Sequence, residues 1–137
     1  MRLWAWLYTL IWLSAAQILL GFYAALGPVV DAHAAIGIAV VAVAQYDARQ
    51  LRRSTAPRRL VRIARVSGIF AGIQLLLGIV LFLAFQQGVP IPGVEVLSFV
   101  HLLLALAILA QAASVATSYD MWEEREFVEG GDPSKSA

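Results

Sequence analysis

The sequence has no cysteine and little charge of either sign. The absence of cysteine excludes disulfide bonds, thiol redox chemistry and cysteine-ligated metals. Only 14% of the 137 residues are charged, whereas 61% are hydrophobic; a soluble domain has about 25% charged residues. The net charge is +1, so no excess of one sign indicates an acidic partner. The composition excludes a soluble globular domain and a nucleic-acid-binding module, and it indicates a membrane protein.

Four apolar runs are each long enough to cross a bilayer as a helix, which needs about 20 residues. They predict helices at about 3–26, 29–46, 66–85 and 94–118. Because backbone polar groups in lipid must be hydrogen bonded within the segment, we predict an all-α, four-transmembrane-helix up-down bundle as one domain, residues 1–118. Residues 119–137 are predicted to form a charged cytoplasmic tail whose end is disordered.

The distribution of arginine predicts the orientation. The stretch 47–65 between the second and third runs contains seven of the ten cationic residues, namely Arg49, Arg52, Arg53, Arg58, Arg59, Arg62 and Arg65. The connections at 27–28 and 86–93 contain none. By the positive-inside rule, the middle loop and both termini are predicted to be cytoplasmic in a multi-pass protein of the cell membrane.

The two halves of the chain form an internal repeat. The first and third helices share the pattern Gln-aliphatic-Leu-Leu-Gly, which runs from Gln17 to Gly21 and from Gln74 to Gly78. Each copy is followed by an acidic residue, a histidine and, four positions later, a small residue. These are Asp31, His33 and Gly37 in the first half, and Glu95, His101 and Ala105 in the second. We predict that the two glutamines form interhelical hydrogen bonds, with contact to a haem propionate as the alternative.

His33 and His101 are the candidate ligands of a haem iron. Both lie in the outer part of a span, on the second and fourth helices, which are diagonal neighbours across an up-down bundle. Neutral imidazole is a good haem ligand, so the pattern predicts one b-type haem between the two rings. Gly37 and Ala105 lie one turn from each histidine on the same face and are predicted to make room for the macrocycle. The alternative is two interfacial or hydrogen-bonded histidines without a metal.

The Gln-x-x-Leu-Gly helix and the pattern His-Leu-Leu-Leu-Ala from His101 to Ala105 resemble haem A synthase over about residues 10–118. Members usually consist of two fused four-helix halves, and this chain looks like one half. The resemblance implies that His33 and His101 form one ligand pair and that the activity is oxidation of a haem O methyl group to a formyl group. The family pattern Glu-x-x-His-Arg is absent, since Val30 and Ala34 occupy its outer positions.

Three functions follow as hypotheses. The first is a haem A synthase-like oxidoreductase with haem O as substrate, in which Asp31 and Glu95 are the candidate catalytic carboxylates. Those carboxylates could equally be helix N-terminal charges that the helix dipole favours. The second is a small cytochrome b that takes electrons from quinol without converting haem. The third is a haem-free membrane subunit. A homo-oligomer is possible, because a two-haem enzyme would need two copies of a single half.

Overall fold

The computed structural model describes residues 3–23 and 27–130, which form four helices and no strand. The helices are α1 (Leu3–Phe22), α2 (Gly27–Arg53), α3 (Arg58–Gln86) and α4 (Val94–Gly130). All four are long and apolar enough to cross a membrane. Large apolar side chains such as Trp12, Leu76 and Phe85 are exposed on the bundle surface, as lipid-facing residues are. The predicted all-α, four-helix fold is confirmed.

The helices pack in a ring in chain order. Each helix contacts the next one along the chain, and α4 closes the ring against α1, while the diagonal pairs α1/α3 and α2/α4 are not in close backbone contact within the described part of the chain. The bundle therefore has two ends. We call the end where α2 meets α3 the basic end, and the end where α1 meets α2 and α3 meets α4 the histidine end.

Two of the connections are tight. Residues 54–57 join α2 to α3, and Pro57 precedes the first turn of α3. At the histidine end, the connection from α3 to α4 contains Gly88 and Gly93 with φ values of 68° and 72°. Glycine adopts such positive φ values without the strain that a Cβ atom causes. Residues 24–26 lie outside the described residues.

The helices at the basic end are longer than the apolar runs predict. The predicted ends of the second and third helices were 46 and 66, with a basic loop between them, whereas α2 continues to Arg53 and α3 begins at Arg58. Most of the predicted loop is therefore helical. Arginine and glutamine favour helix almost as strongly as alanine, so the arginine-rich stretch ends the apolar run without ending the helix.

Two further helix ends differ from the prediction, in opposite directions. Helix α4 continues through the predicted tail to Gly130, because the segment Met121 to Phe127 contains good helix formers such as glutamate and arginine. Of the predicted disordered end, residues 130–137, Gly130 is the last residue of α4 and residues 131–137 lie outside the described residues. Helix α1 ends at Phe22 rather than at 26.

The core fills only one half of the bundle. The buried side chains form two clusters, one around Leu7, Leu51 and Ala116, and the other around Leu10, Ala44 and Ile108. Every buried residue of the described chain belongs to the half nearer the basic end. In the other half, at 15–22, 28–39, 72–86 and 94–107, no residue is fully buried. Close packing thus holds the basic half together.

Candidate functional site

The structure brings the two histidines together at the histidine end. His33 lies in the second turn of α2 and His101 in the second turn of α4. Their ring centroids are 6.3 Å apart and the ring planes are inclined at 50°. Two helices that pass through the bundle in the same direction therefore present their imidazoles to each other across its interior. Both side chains are half-buried.

The glutamines of the repeat bind the histidine-bearing helices. The Gln17 amide lies 3.1 Å from His33 Nε2. The Gln74 amide donates a hydrogen bond of 2.9 Å to the backbone carbonyl of His101. The predicted interhelical hydrogen bonds are confirmed. The two halves differ in the atom that the glutamine contacts, which is a ring nitrogen in the first half and a backbone oxygen in the second.

The glycines of the repeat pack against the imidazole rings. A Cβ atom on Gly21 would lie 3.3 Å from Cε1 of His33, and one on Gly78 would lie 3.4 Å from Cε1 of His101. The distance at Gly21 is short for a carbon–carbon contact, and the distance at Gly78 is at the lower limit of an ordinary one. The repeat therefore has a structural meaning that the sequence analysis did not assign: each Gln-x-x-x-Gly unit supplies an amide that binds the facing helix and an open position that admits its ring.

Gly37 lies against the side chain of Gln17. A Cβ atom at Gly37 would lie 3.0 Å from the Gln17 amide nitrogen. Gly37 thus makes room for Gln17, and its assignment to a macrocycle stays a prediction. Ala105 is half-buried on α4, one turn from His101. Its predicted contact with a cofactor also stays a prediction.

Asp31 and Glu95 do not join the histidine pair by any hydrogen bond among the described side chains. Both are exposed, Asp31 on α2 and Glu95 in the first turn of α4. Their placement suits surface charges near helix N-termini, which the helix dipole stabilises. A catalytic role for them stays a prediction.

Asp47, predicted to lie in the basic loop, is a buried residue of α2. Asp47 is 1% exposed, and neither carboxyl oxygen has a hydrogen-bond partner among the described residues. Its helical spacing could have revealed this position, since Val40, Ala44, Asp47 and Leu51 lie on one face of α2 and all four are buried. Asp47 lies in the basic half and is separate from the histidine pair.

Gly68 and Gly72 form a Gly-x-x-x-Gly pair in α3, a pattern that permits close approach of a neighbouring helix. The Gln45 amide donates a 2.9 Å hydrogen bond to the Gly68 carbonyl, and a Cβ atom at Gly68 would lie 3.3 Å from that amide. Gly68 therefore serves packing between α2 and α3 inside the bundle. A Cβ atom at Gly72 would meet nothing within 4 Å.

The histidine pair has the donor set that a haem iron needs from a protein. Among the described residues no third His, Cys, Asp or Glu joins a metal-binding group, and the porphyrin itself supplies the equatorial ligands. Two imidazoles bonded through nitrogen at about 2 Å on opposite sides of a metal have centroids roughly 6 Å apart. The observed separation is 6.3 Å.

The surroundings of the two imidazole rings also bear on whether they could hold a cofactor. The Nδ1 atoms of His33 and His101 are buried and have no partner among the described residues, so neither ring is held by a bond through that nitrogen. Gly21 and Gly78 lie against the rings, so each imidazole takes up the space beside its glycine. The residues present fit a cofactor bound between two imidazoles.

The chain was compared with protein-family models, with curated proteins and with solved structures, and none of the three comparisons finds a match.

Proposed function

We propose that the protein is a membrane-embedded b-type haem protein in which His33 and His101 would hold the haem iron, and that it transfers electrons. The observation that carries the proposal is the pair of imidazoles on diagonal helices, with centroids 6.3 Å apart. Ionisable side chains inside membrane spans are costly and are commonly functional. A bound haem supplies reversible one-electron transfer.

The roles of the surrounding residues follow from their contacts. His33 and His101 hold the cofactor, and Gly21 and Gly78 admit their rings. The close-packed basic half anchors the four helices. Because the lipid-facing surface is apolar, a lipid-soluble quinol is the electron donor that this environment favours. We place the basic end in the cytoplasm, so the haem lies towards the outer surface.

Absorption spectroscopy of the purified protein tests the proposal. The wild-type protein is expected to show the spectrum of a low-spin b-type haem that quinol reduces reversibly. His33→Ala and His101→Ala are expected to lose the low-spin bands, since each removes one axial ligand.

Gln45→Leu is the matched control for these variants. It removes the interhelical hydrogen bond from Gln45 to Gly68 in the basic half and leaves both imidazoles in place, so its spectrum should match that of the wild type. Low-spin bands that persist in both histidine variants would refute the ligand assignment. A colourless wild-type protein would instead favour a haem-free membrane subunit.

A second candidate function is oxidation of a haem O methyl group, as in haem A synthase. The repeated Gln-x-x-Leu-Gly helix and the His-Leu-Leu-Leu-Ala pattern favour it. The exposed positions of Asp31 and Glu95 do not, because neither carboxylate joins the histidine pair. For this reason we rank it second.

Co-expression with a source of haem O separates the two functions. Haem A synthase-like activity predicts that haem A accumulates with the wild-type chain and not with His101→Ala. Asp31→Asn and Glu95→Gln should then lower the yield if these carboxylates assist the oxidation. Unchanged haem O beside an intact low-spin spectrum would leave electron transfer as the function.

A further inference from the structure

Five arginines at the basic end lie on two adjacent helix faces. Arg49 and Arg53 are one turn apart on α2, and Arg58, Arg62 and Arg65 follow one another at helical spacing along one face of α3. All five side chains are exposed. Because α2 packs against α3, the two faces form one surface, which we call the arginine patch.

A hydrogen bond between the two helices fixes their register. The Gln45 amide on α2 donates to the carbonyl of Gly68 on α3, and the two helices are antiparallel because a short connection joins them. Both rise equally per residue, so Arg49 is level with residue 64, beside Arg65. By the same count, Arg53 is level with residue 60, in the first turn of α3. The arginines of the two helices therefore lie side by side at matching depths.

The arginine face of each helix continues directly into the lipid-facing surface. On α3, Ile69 follows Arg65 by one turn and Leu76 extends the same face, and both apolar side chains are exposed. On α2, the exposed ring of Tyr46 lies one turn before Arg49, and tyrosine is typical of the boundary between hydrocarbon and water. The patch thus borders the hydrocarbon region from the side, where the headgroups of surrounding lipids lie.

No carboxylate on the same two faces balances this charge. Residues 48–86 contain seven arginines and no aspartate or glutamate, and Asp47 is buried on the core face of α2. The carboxylate of Asp120 on α4 accepts a hydrogen bond from Tyr8 on α1, at the other side of the ring of helices. A phosphodiester would supply the missing negative charge, because its free oxygens match the paired donors of a guanidinium group.

We propose that the arginine patch binds the headgroup of an anionic phospholipid whose acyl chains lie along the exposed apolar face of α3 at Ile69 and Leu76. A zwitterionic headgroup would bring a second cation to the patch, so charge complementarity favours a lipid with a net negative charge. The patch is at the opposite end of the bundle from the histidine pair, and the inference does not depend on the proposed function.

Native mass spectrometry of the full-length protein in detergent tests the lipid site. The protein is titrated with phosphatidylglycerol and, separately, with phosphatidylcholine that has the same acyl chains. The wild type is expected to bind phosphatidylglycerol more tightly. Arg62→Gln should weaken phosphatidylglycerol binding about fivefold, the factor that corresponds to one arginine beside an anionic lipid surface. Glutamine matches arginine in helix propensity, so the exposed substitution keeps the fold.

Arg59→Gln is the matched control. Arg59 is exposed at the same end of the bundle, but it lies about 100° around α3 from Arg58 and so outside the patch. This variant should keep the wild-type affinity. Equal affinity of the wild type for the two lipids would overturn the proposal, and so would equal losses in Arg59→Gln and Arg62→Gln. Displacement of phosphatidylglycerol by inorganic phosphate at the same concentration would overturn it too, since the patch would then recognise free phosphate and not a lipid.

Discussion

Asp47 combines deep burial with a lack of partners. The side chain is 1% exposed, and its oxygens have no hydrogen-bond partner among the described residues. An unsatisfied buried polar group costs about 1–3 kcal/mol of stability. We therefore expect Asp47→Leu to raise the free energy of unfolding by about that amount, as measured by thermal unfolding in detergent.

Asp120 provides the control at the residue scale, because it is an aspartate with a partner. The Tyr8 hydroxyl donates a 2.6 Å hydrogen bond to its carboxylate and so links α1 to α4. Asp120→Leu should lower stability by about 1 kcal/mol, the usual net value of one hydrogen bond. If Asp47→Leu also lowers stability, Asp47 is engaged by a bound water or ion that satisfies its oxygens, and the expectation is wrong.

At the scale of the helices, two glycines set how closely α1 and α3 approach the histidine rings. Gly21→Ala and Gly78→Ala place a methyl group 3.3 Å and 3.4 Å from the two Cε1 atoms. Gly72→Ala meets nothing within 4 Å, so it gains helix propensity of up to about 1 kcal/mol without any clash. All three variants share that gain in helix propensity. A difference between their unfolding temperatures therefore reports crowding at the rings.

We expect Gly72→Ala to unfold at or above the wild-type temperature, and Gly21→Ala and Gly78→Ala to unfold below Gly72→Ala. The haem content of the same preparations, measured as the pyridine haemochrome, should fall only in the two variants beside the rings. If all three variants behaved alike, the glycines would not limit access of the rings to the bundle interior.

The helices also show what an apolar pattern can and cannot predict. Hydropathy located all four spans and the turn at 86–93, because crossing a bilayer demands a long uninterrupted apolar run. It misplaced the basic ends of α2 and α3, since hydropathy detects the change of solvent at the membrane surface and arginine does not break a helix. Because residues 47–53 of α2 were predicted to be loop, the burial of Asp47 was not predicted.

The pairing of the two histidines in the candidate site was predictable from the sequence, whereas the hydrogen-bond partners of the two glutamines were not. Matched positions on the second and fourth helices were enough to bring His33 and His101 together. The sequence could not reveal that Gln17 binds a ring nitrogen while Gln74 binds a carbonyl oxygen. The two motifs are nearly identical, and the choice depends on the rotation and separation of two helix pairs, which packing along their whole length determines.

At the scale of the whole molecule, the asymmetry of charge predicts the orientation. Arg52, Arg53, Arg58 and Arg59 are exposed around the connection between α2 and α3, whereas the connection at 87–93 has no cationic residue. The positive-inside rule therefore predicts that the basic end is cytoplasmic and that the histidine pair lies towards the outer surface. An electron acceptor would then approach from outside.

The absence of cysteine makes this orientation directly measurable, because a single introduced thiol has no background. Thr55→Cys and Gln87→Cys place thiols at exposed positions in the connections at the basic and histidine ends. A membrane-impermeant maleimide should label Gln87→Cys on intact expressing cells and Thr55→Cys only after lysis. The opposite result would invert the bundle and place the histidine pair near the cytoplasm. Any electron acceptor would then be sought on that side, and the arginines would have to be explained by a role other than topology.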